Sequence, residues 1–289
     1  MNRRQALSGL VGLALALAGR FGHAVAANGA EPVRIGLTPV FLDDQVGFLG
    51  AWRDHLAQAM GRQVEFIQRG SYREIVELMR QDKLHFAWLC GYPYVREQRW
   101  MRLLAVPVYE GQPLYRSYLI VPAHDSVTTK VTDLRDRVFA FSDPDSNSGY
   151  LYPHYQLNRA NTSPANFFRR SFFTYAHKKV VEAVALAVAH GGAVDGYVWD
   201  TLARTHPELT SRTRVADRSP PFGFPPFVTG RSVSPALHRR MQQILLAMHE
   251  DPAGARFLRQ LNLDRFTGGS PALYADIERM LRAIGQPVG

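Results

Sequence analysis

The sequence predicts an α/β protein of two lobes with a ligand cleft between them. Three observations carry that expectation. Short apolar strands alternate with amphipathic helices, the pattern of an α/β sheet protein with mostly parallel sheets. Polar residues collect where the strands end, in both halves of the chain, and ligands of open α/β sheets sit outside the carboxyl ends of strands. The Pro-rich stretch "SPPFGFPPFV" (219–228) then leads into a helical tail, as expected of a chain that leaves one lobe and later returns to it. At 289 residues, 46% hydrophobic and 20% charged, the chain is long enough for about two domains with real cores.

In the first unit "VRIGL" (33–37) is apolar and β-branched, and a helix follows from about Gln45 to Met60. "QVEFIQ" (63–68) alternates as a strand does. "SYREIVELMRQDK" places Glu74 three residues after Ser71, the spacing of a capping box. Tyr72, Ile75, Val76 and Met79 then share one helical face. "HFAWL" (85–89), "RLLAVPVY" and "YRSYLIV" read as further strands, the first of them running into Cys90, Tyr92 and Tyr94.

A second unit opens near Pro122, giving expected lobes of 31–120 with 224–289, and 121–223. "RVFAFS" (137–142) and "SFFTY" (171–175) are its first strands, and the next helix carries Val180, Val181, Val184, Ala187 and Val188 on one face. "AVDGYVW" (193–199) reads as a third strand, ending at Asp200. The tail from Ser234 to Ile284 reads as helix, broken at Pro252 and near Gly268–Pro271.

The N-terminus has the three parts of a secretory signal peptide. "MNRR" is basic, "LSGLVGLALALAG" is apolar but short of the ~20 residues of a membrane span, and "HAVAA" suits cleavage. Residues 1–27 are the expected leader, by the Sec route or, through Arg3-Arg4, the twin-arginine route. Cys90 is the only cysteine, so no disulfide within the chain and no lipidated cysteine at the cleavage site is expected. The expected compartment is the periplasm. The formal charge is +9, but Arg3, Arg4 and Arg20 belong to the leader, leaving 31 basic residues against 25 acidic ones. These are scattered rather than interleaved with aromatics, which argues against a nucleic-acid partner. No dinucleotide loop, P-loop or pair of metal ligands at helical spacing is visible, and no cofactor is expected.

"SDPDSNSGYLYPHY" (142–155) sets Ser146, Asn147 and Ser148 between a strand and a helix. Ser and Asn cap helices anywhere. The same corner also offers free N–H groups, hydroxyls and a partial positive charge to an oxyanion. Cys90, His177 and Asp200 lie at other strand ends. They supply the residue types of a cysteine nucleophile triad, although no nucleophile elbow surrounds Cys90.

Four stretches resemble the periplasmic phosphonate/phosphite-type solute-binding proteins of ABC transporters: "VRIGLTPVFLDD", "GSYREIVELMRQDKLHFAWLCGYPYV", "DPDSNSGYLYPHY" and "FFTYAHKKVVEAVALAVAHGGAVDGYVWDTL". The resemblance implies the two-lobed class II periplasmic binding protein fold, with a membrane permease as partner and a monomeric receptor. It implies that Ser146, Asn147 and Ser148 hold the oxygens of a phosphonate, phosphite or phosphate. Tyr94 would donate from the facing lobe, with Tyr92 as a wall, and His177 and Asp200 would be ligand contacts. Asn147 replaces a usual threonine and Ala176 a common serine. Cys90 departs further and is similar to a sister group, the arsenite-sensing proteins that signal to a membrane histidine kinase. A thiolate would suit such a soft ligand, and a buried thiol would serve equally as a small hydrophobe.

Overall fold

A computed structural model describes residues 31–38 and 46–289; the expected leader lies outside them. The chain begins with β1 (Val33–Leu37), α1 (Val46–Met60), β2 (Val64–Gln68) and α2 (Tyr72–Arg80). It continues through β3 (Phe86–Trp88), α3 (Gly91–Arg96) and β4 (Met101–Val108). Ser71 caps α2 by accepting the Glu74 N–H, and Tyr72, Ile75, Val76 and Met79 are its buried face, as the spacing predicts. Trp52 of α1 is fully buried beneath the sheet, edge-on to Trp88 and Phe227.

A two-residue strand, β5 (Leu114–Tyr115), leads to the second lobe. This holds β6 (Ser117–Pro122), β7 (Val138–Phe141), α4 (Tyr152–Arg159), α5 (Pro164–Phe167), β8 (Arg170–Phe173) and α6 (His177–Ala185). It then holds β9 (Gly191–Asp195), α7 (Gly196–Thr205), α8 (Pro207–Thr210) and β10 (Thr213–Arg218). The return passes through β11 (Phe222–Gly223), which pairs with β5, and β12 (Phe227–Gly230). The first lobe closes with α9 (Pro235–Ala247), α10 (Pro252–Gln260), β13 (Arg265–Thr267) and α11 (Ala275–Ala283).

Two sheets result, in the orders β13-β4-β12-β3-β1-β2 and β10-β6-β9-β7-β8. They are mixed rather than mostly parallel. β1 pairs parallel with β2 and β3, and β7 with β8 and β9. The strands that carry the chain out and back, β4, β6, β10 and β12, pair antiparallel because they cross between lobes in opposite directions. The division expected at 120/121 falls inside β6, whose partners both lie in the second sheet. No helix among the described residues is long and apolar enough to cross a membrane.

Three local expectations are corrected. The stretch 193–199 is not one strand: β9 stops at Asp195, whose carboxylate accepts the Tyr197 N–H and starts α7. An N-cap overrides the apolar run that suggests a continuing strand. Val188 is exposed, because α6 ends at Ala185 and Ala187 turns to a left-handed conformation, φ 57°. The tail is not all helix, since Arg265–Thr267 adds β13 to the edge of β4.

Candidate functional site

The anion-type loop follows β7. Residues Asn147–Leu151 form a wide, π-type turn that runs directly into α4, with Pro153 in that helix's first turn. Tyr152 N–H bonds the Asn147 carbonyl, while Pro153 has no N–H to give the Ser148 carbonyl, which takes Ser117 Oγ instead. Ser146 Oγ accepts the Gly149 N–H at 3.0 Å, so capping is realised at Ser146. Gly149 has no room for a side chain: a Cβ there would meet Ser142 Oγ at 1.8 Å. Ser148 is different. Its carbonyl accepts Ser117 Oγ at 2.7 Å, but its own Oγ is buried beside the Tyr115 phenol and makes no well-formed hydrogen bond.

Asn147 is fully buried and links three elements. Its backbone N–H meets Cys90 Sγ at 3.2 Å, and its Nδ2 donates to Tyr115 Oη at 3.0 Å. Its Oδ1 has no partner. Cys90 stands just before α3 in the first lobe, so the contact spans the two lobes. Burial pushes its thiol up to about 11, so the sulfur is neutral near pH 7.

His177 opens α6. Its Nδ1 accepts the Asp195 N–H at 3.0 Å, which leaves the ring proton of the neutral form on Nε2, 3.3 Å from Tyr72 Oη. Burial pulls His177 down to about 3. Asp195 is also fully buried, and burial pushes its carboxyl up to about 8. Once ionised it would push the Tyr72, Cys90 and Tyr115 side chains up further, which places it inside the same cluster.

Two further carboxylates frame the loop. Asp143 Oδ2 accepts the Tyr72 N–H at 3.1 Å, satisfying an orphan donor at the start of α2 from the opposite lobe. Asp145 accepts from Arg96 Nη1 at 2.8 Å, again across the lobes. With Cys90–Asn147 and Tyr72–His177, these contacts hold the lobes together around the loop.

The remaining expected residues have other partners. Tyr94 packs edge-on against Tyr274, ring centroids 4.9 Å apart, and Tyr92 lies under the Arg96 guanidinium at 5.2 Å. Asp200 sits in α7 and accepts from Tyr109 and Tyr118 hydroxyls at 3.2 and 2.9 Å. It lines a separate cavity of about 570 Å³ with Arg204 and Arg259. Cys90, His177 and Asp200 therefore share no hydrogen bond with one another and form no nucleophile triad. Asp195, not Asp200, ends the strand beside His177. Reading β9 too far hid it, though the Val-Asp pair was the available signal. Tyr115 and the orientation of Tyr72 are products of long-range packing with no local signature.

Two α/β lobes joined by paired crossover strands, with polar groups of both lobes meeting at one helix start, define a class II periplasmic binding protein. The chain belongs to the family described as ABC transporter, phosphonate, periplasmic substrate-binding protein, whose model matches residues 35–274. It is 24% identical over 232 residues to the phosphonates-binding periplasmic protein of Escherichia coli K12, covering 78% of this chain and 68% of that one. Its fold is similar to a binding-protein component of an ABC phosphonate transporter from Pseudomonas aeruginosa, with a TM-score of 0.81 and 22% identity over 88% of this chain and 87% of that one. PhnD1 from Prochlorococcus marinus, solved in complex with methylphosphonate, gives a TM-score of 0.79 at 18% identity, covering 88% and 98%.

Proposed function

We propose that this protein is an exported receptor that closes its lobes over a small phosphorus oxyanion at Ser146-Asn147-Ser148 and delivers it to a membrane permease. The observation that carries the reading is Ser148 Oγ, a buried donor with no well-formed hydrogen bond beside a helix start that two lobes enclose. A buried hydroxyl left unpaired is costly, and an anionic oxygen is the partner it suits best. Ser146 Oγ keeps its own proton to donate while capping. Tyr72, Cys90, Tyr92 and Tyr94 form the facing wall, His177 stands beside the loop in its own lobe, and Asp200 lines a separate cavity. The cycle is binding and release with no catalytic step, by a monomer.

Ligand favours closure only through contacts missing from the open form. A thermal-shift panel of methylphosphonate, phosphite, phosphate, sulfate and arsenite tests the reading. A ligand at ~100 times its dissociation constant adds about 2.7 kcal/mol of stability. Shifts by phosphorus oxyanions are expected. Silence from all of them, or a response to arsenite alone, would remove it.

A further inference from the structure

We infer that the cradle takes its oxyanion singly charged and still protonated, with Asn147 Oδ1 accepting the ligand's O–H. This deepens, and rests on, the oxyanion reading above.

The donor and acceptor count at the loop carries it. Ser148 Oγ can turn its proton toward a ligand oxygen. Asn147 Oδ1 can only accept. Nδ2 donates to Tyr115 Oη at 3.0 Å, and Oδ1 is the unpartnered, fully buried atom. A fully deprotonated oxyanion would set lone pairs against that oxygen. A protonated one supplies the hydrogen it lacks.

Charge points the same way. Asp143 and Asp145 precede Ser146 by three residues and one, and both are buried. Arg96 bonds Asp145 at 2.8 Å, and Arg73 lies 3.9 Å from the same carboxylate, so these cations serve the protein's own charge. The groups facing Asn147 are the Cys90 thiol and the Tyr115 phenol. Those near Asp195 are Tyr72, His177, Tyr197 and Asp200. Burial keeps Cys90 and His177 neutral near pH 7 and pushes the Asp195 carboxyl up to about 8, so none of the three adds a positive charge. No cation hydrogen-bonds Ser146, Asn147 or Ser148 among the described residues, so a second negative charge on the ligand would go unanswered.

Calorimetric titration of the mature protein with methylphosphonate, from about pH 5 to about pH 9, tests this, with sulfate as a dianion that carries no proton. Methylphosphonate should bind with constant Kd below its second ionisation and weaken ~tenfold per pH unit above it. Sulfate should be at least ~tenfold weaker at the acidic end, by loss of one hydrogen bond to a charged group. Asp195→Asn should keep the rise in Kd, because the proton belongs to the ligand. Asn147→Thr should narrow the gap to sulfate, because its hydroxyl can donate. A flat Kd for methylphosphonate, sulfate binding as tightly, or a rise abolished by Asp195→Asn would overturn the inference while leaving oxyanion capture standing. Silence from both anions would overturn both. The wild-type profile decides even where Asn147→Thr fails to fold.

Discussion

The backbone N–H of Asn147 points across the cleft at Cys90 Sγ, 3.2 Å away. A side chain of the first lobe thus already holds an amide of the second lobe's loop. Sulfur is a weak acceptor, so the contact satisfies the amide without competing strongly with a ligand oxygen. Cys90→Ala should leave that buried N–H unpaired in the closed form, at about 1–3 kcal/mol. Small-angle scattering should show the ligand-free variant expanded, and methylphosphonate should restore the compact profile. Unchanged scattering would mean that the thiol does not help to close the lobes.

Arg96 and Asp145 bring opposite charges together across the same interface, and the Asp145 side chain is only 4% exposed. Removing the guanidinium strands a buried carboxylate. Arg96→Ala should therefore cost about 3 kcal/mol, read as a lowered urea midpoint. Arg96→Lys should recover only part of it, having lost the fixed fork geometry. A midpoint unmoved by Arg96→Ala would count against a buried latch.

The two buried titrating groups give stability a definite pH dependence. His177 falls from an ordinary 6.5 to about 3, so the stability tied to its neutral form is present above about pH 6.5. That stability is lost as pH falls toward 3. Asp195 rises from 3.8 to about 8, so its contribution is full below about pH 3.8 and is lost as pH rises through 8. Between pH 6.5 and 8 only Asp195 of the two still changes. Wild-type stability should decline there by up to about 1.4 kcal/mol per pH unit. Asp195→Asn, which can still cap α7, should flatten that decline. Equal slopes in both proteins would contradict the assignment.

Gly149 lies so close to Ser142 that a methyl group cannot be added without moving the loop. Gly149→Ala should destabilise by about 1–3 kcal/mol, as overpacking does, and should weaken oxyanion binding by more than Gly268→Ala. At Gly268 nothing lies within 4 Å of the added carbon. Binding unaffected by Gly149→Ala would show that the loop's tight turn is not needed.

Local patterns carried much of the fold. The apolar face of α2 and its Ser71 cap follow from spacing alone, and β1 falls where its β-branched run lies. The Ser-Asn-Ser-Gly corner was legible as a helix start because small polar residues cap helices, and Ser146 does so. What failed was the end of β9. Ala193–Trp199 is apolar enough for either period, and only the Asp195 side chain, bonded to Tyr197, decides where strand becomes helix. That boundary puts Asp195 at the strand end and Asp200 five residues on, within α7. The partners of Asn147 were not legible either. Cys90 and Tyr115 stand 57 and 32 residues from it in sequence, and their meeting depends on how the lobes pack.

The most direct measurement is calorimetric titration of methylphosphonate into the mature protein and its Ser148→Ala variant at one pH. Loss of a hydrogen bond to a charged group is worth about 1.5–3 kcal/mol, so Kd should rise ~10- to 150-fold in the variant while its fold is unchanged. Equal affinity in the two proteins, or no heat in either, would contradict the account.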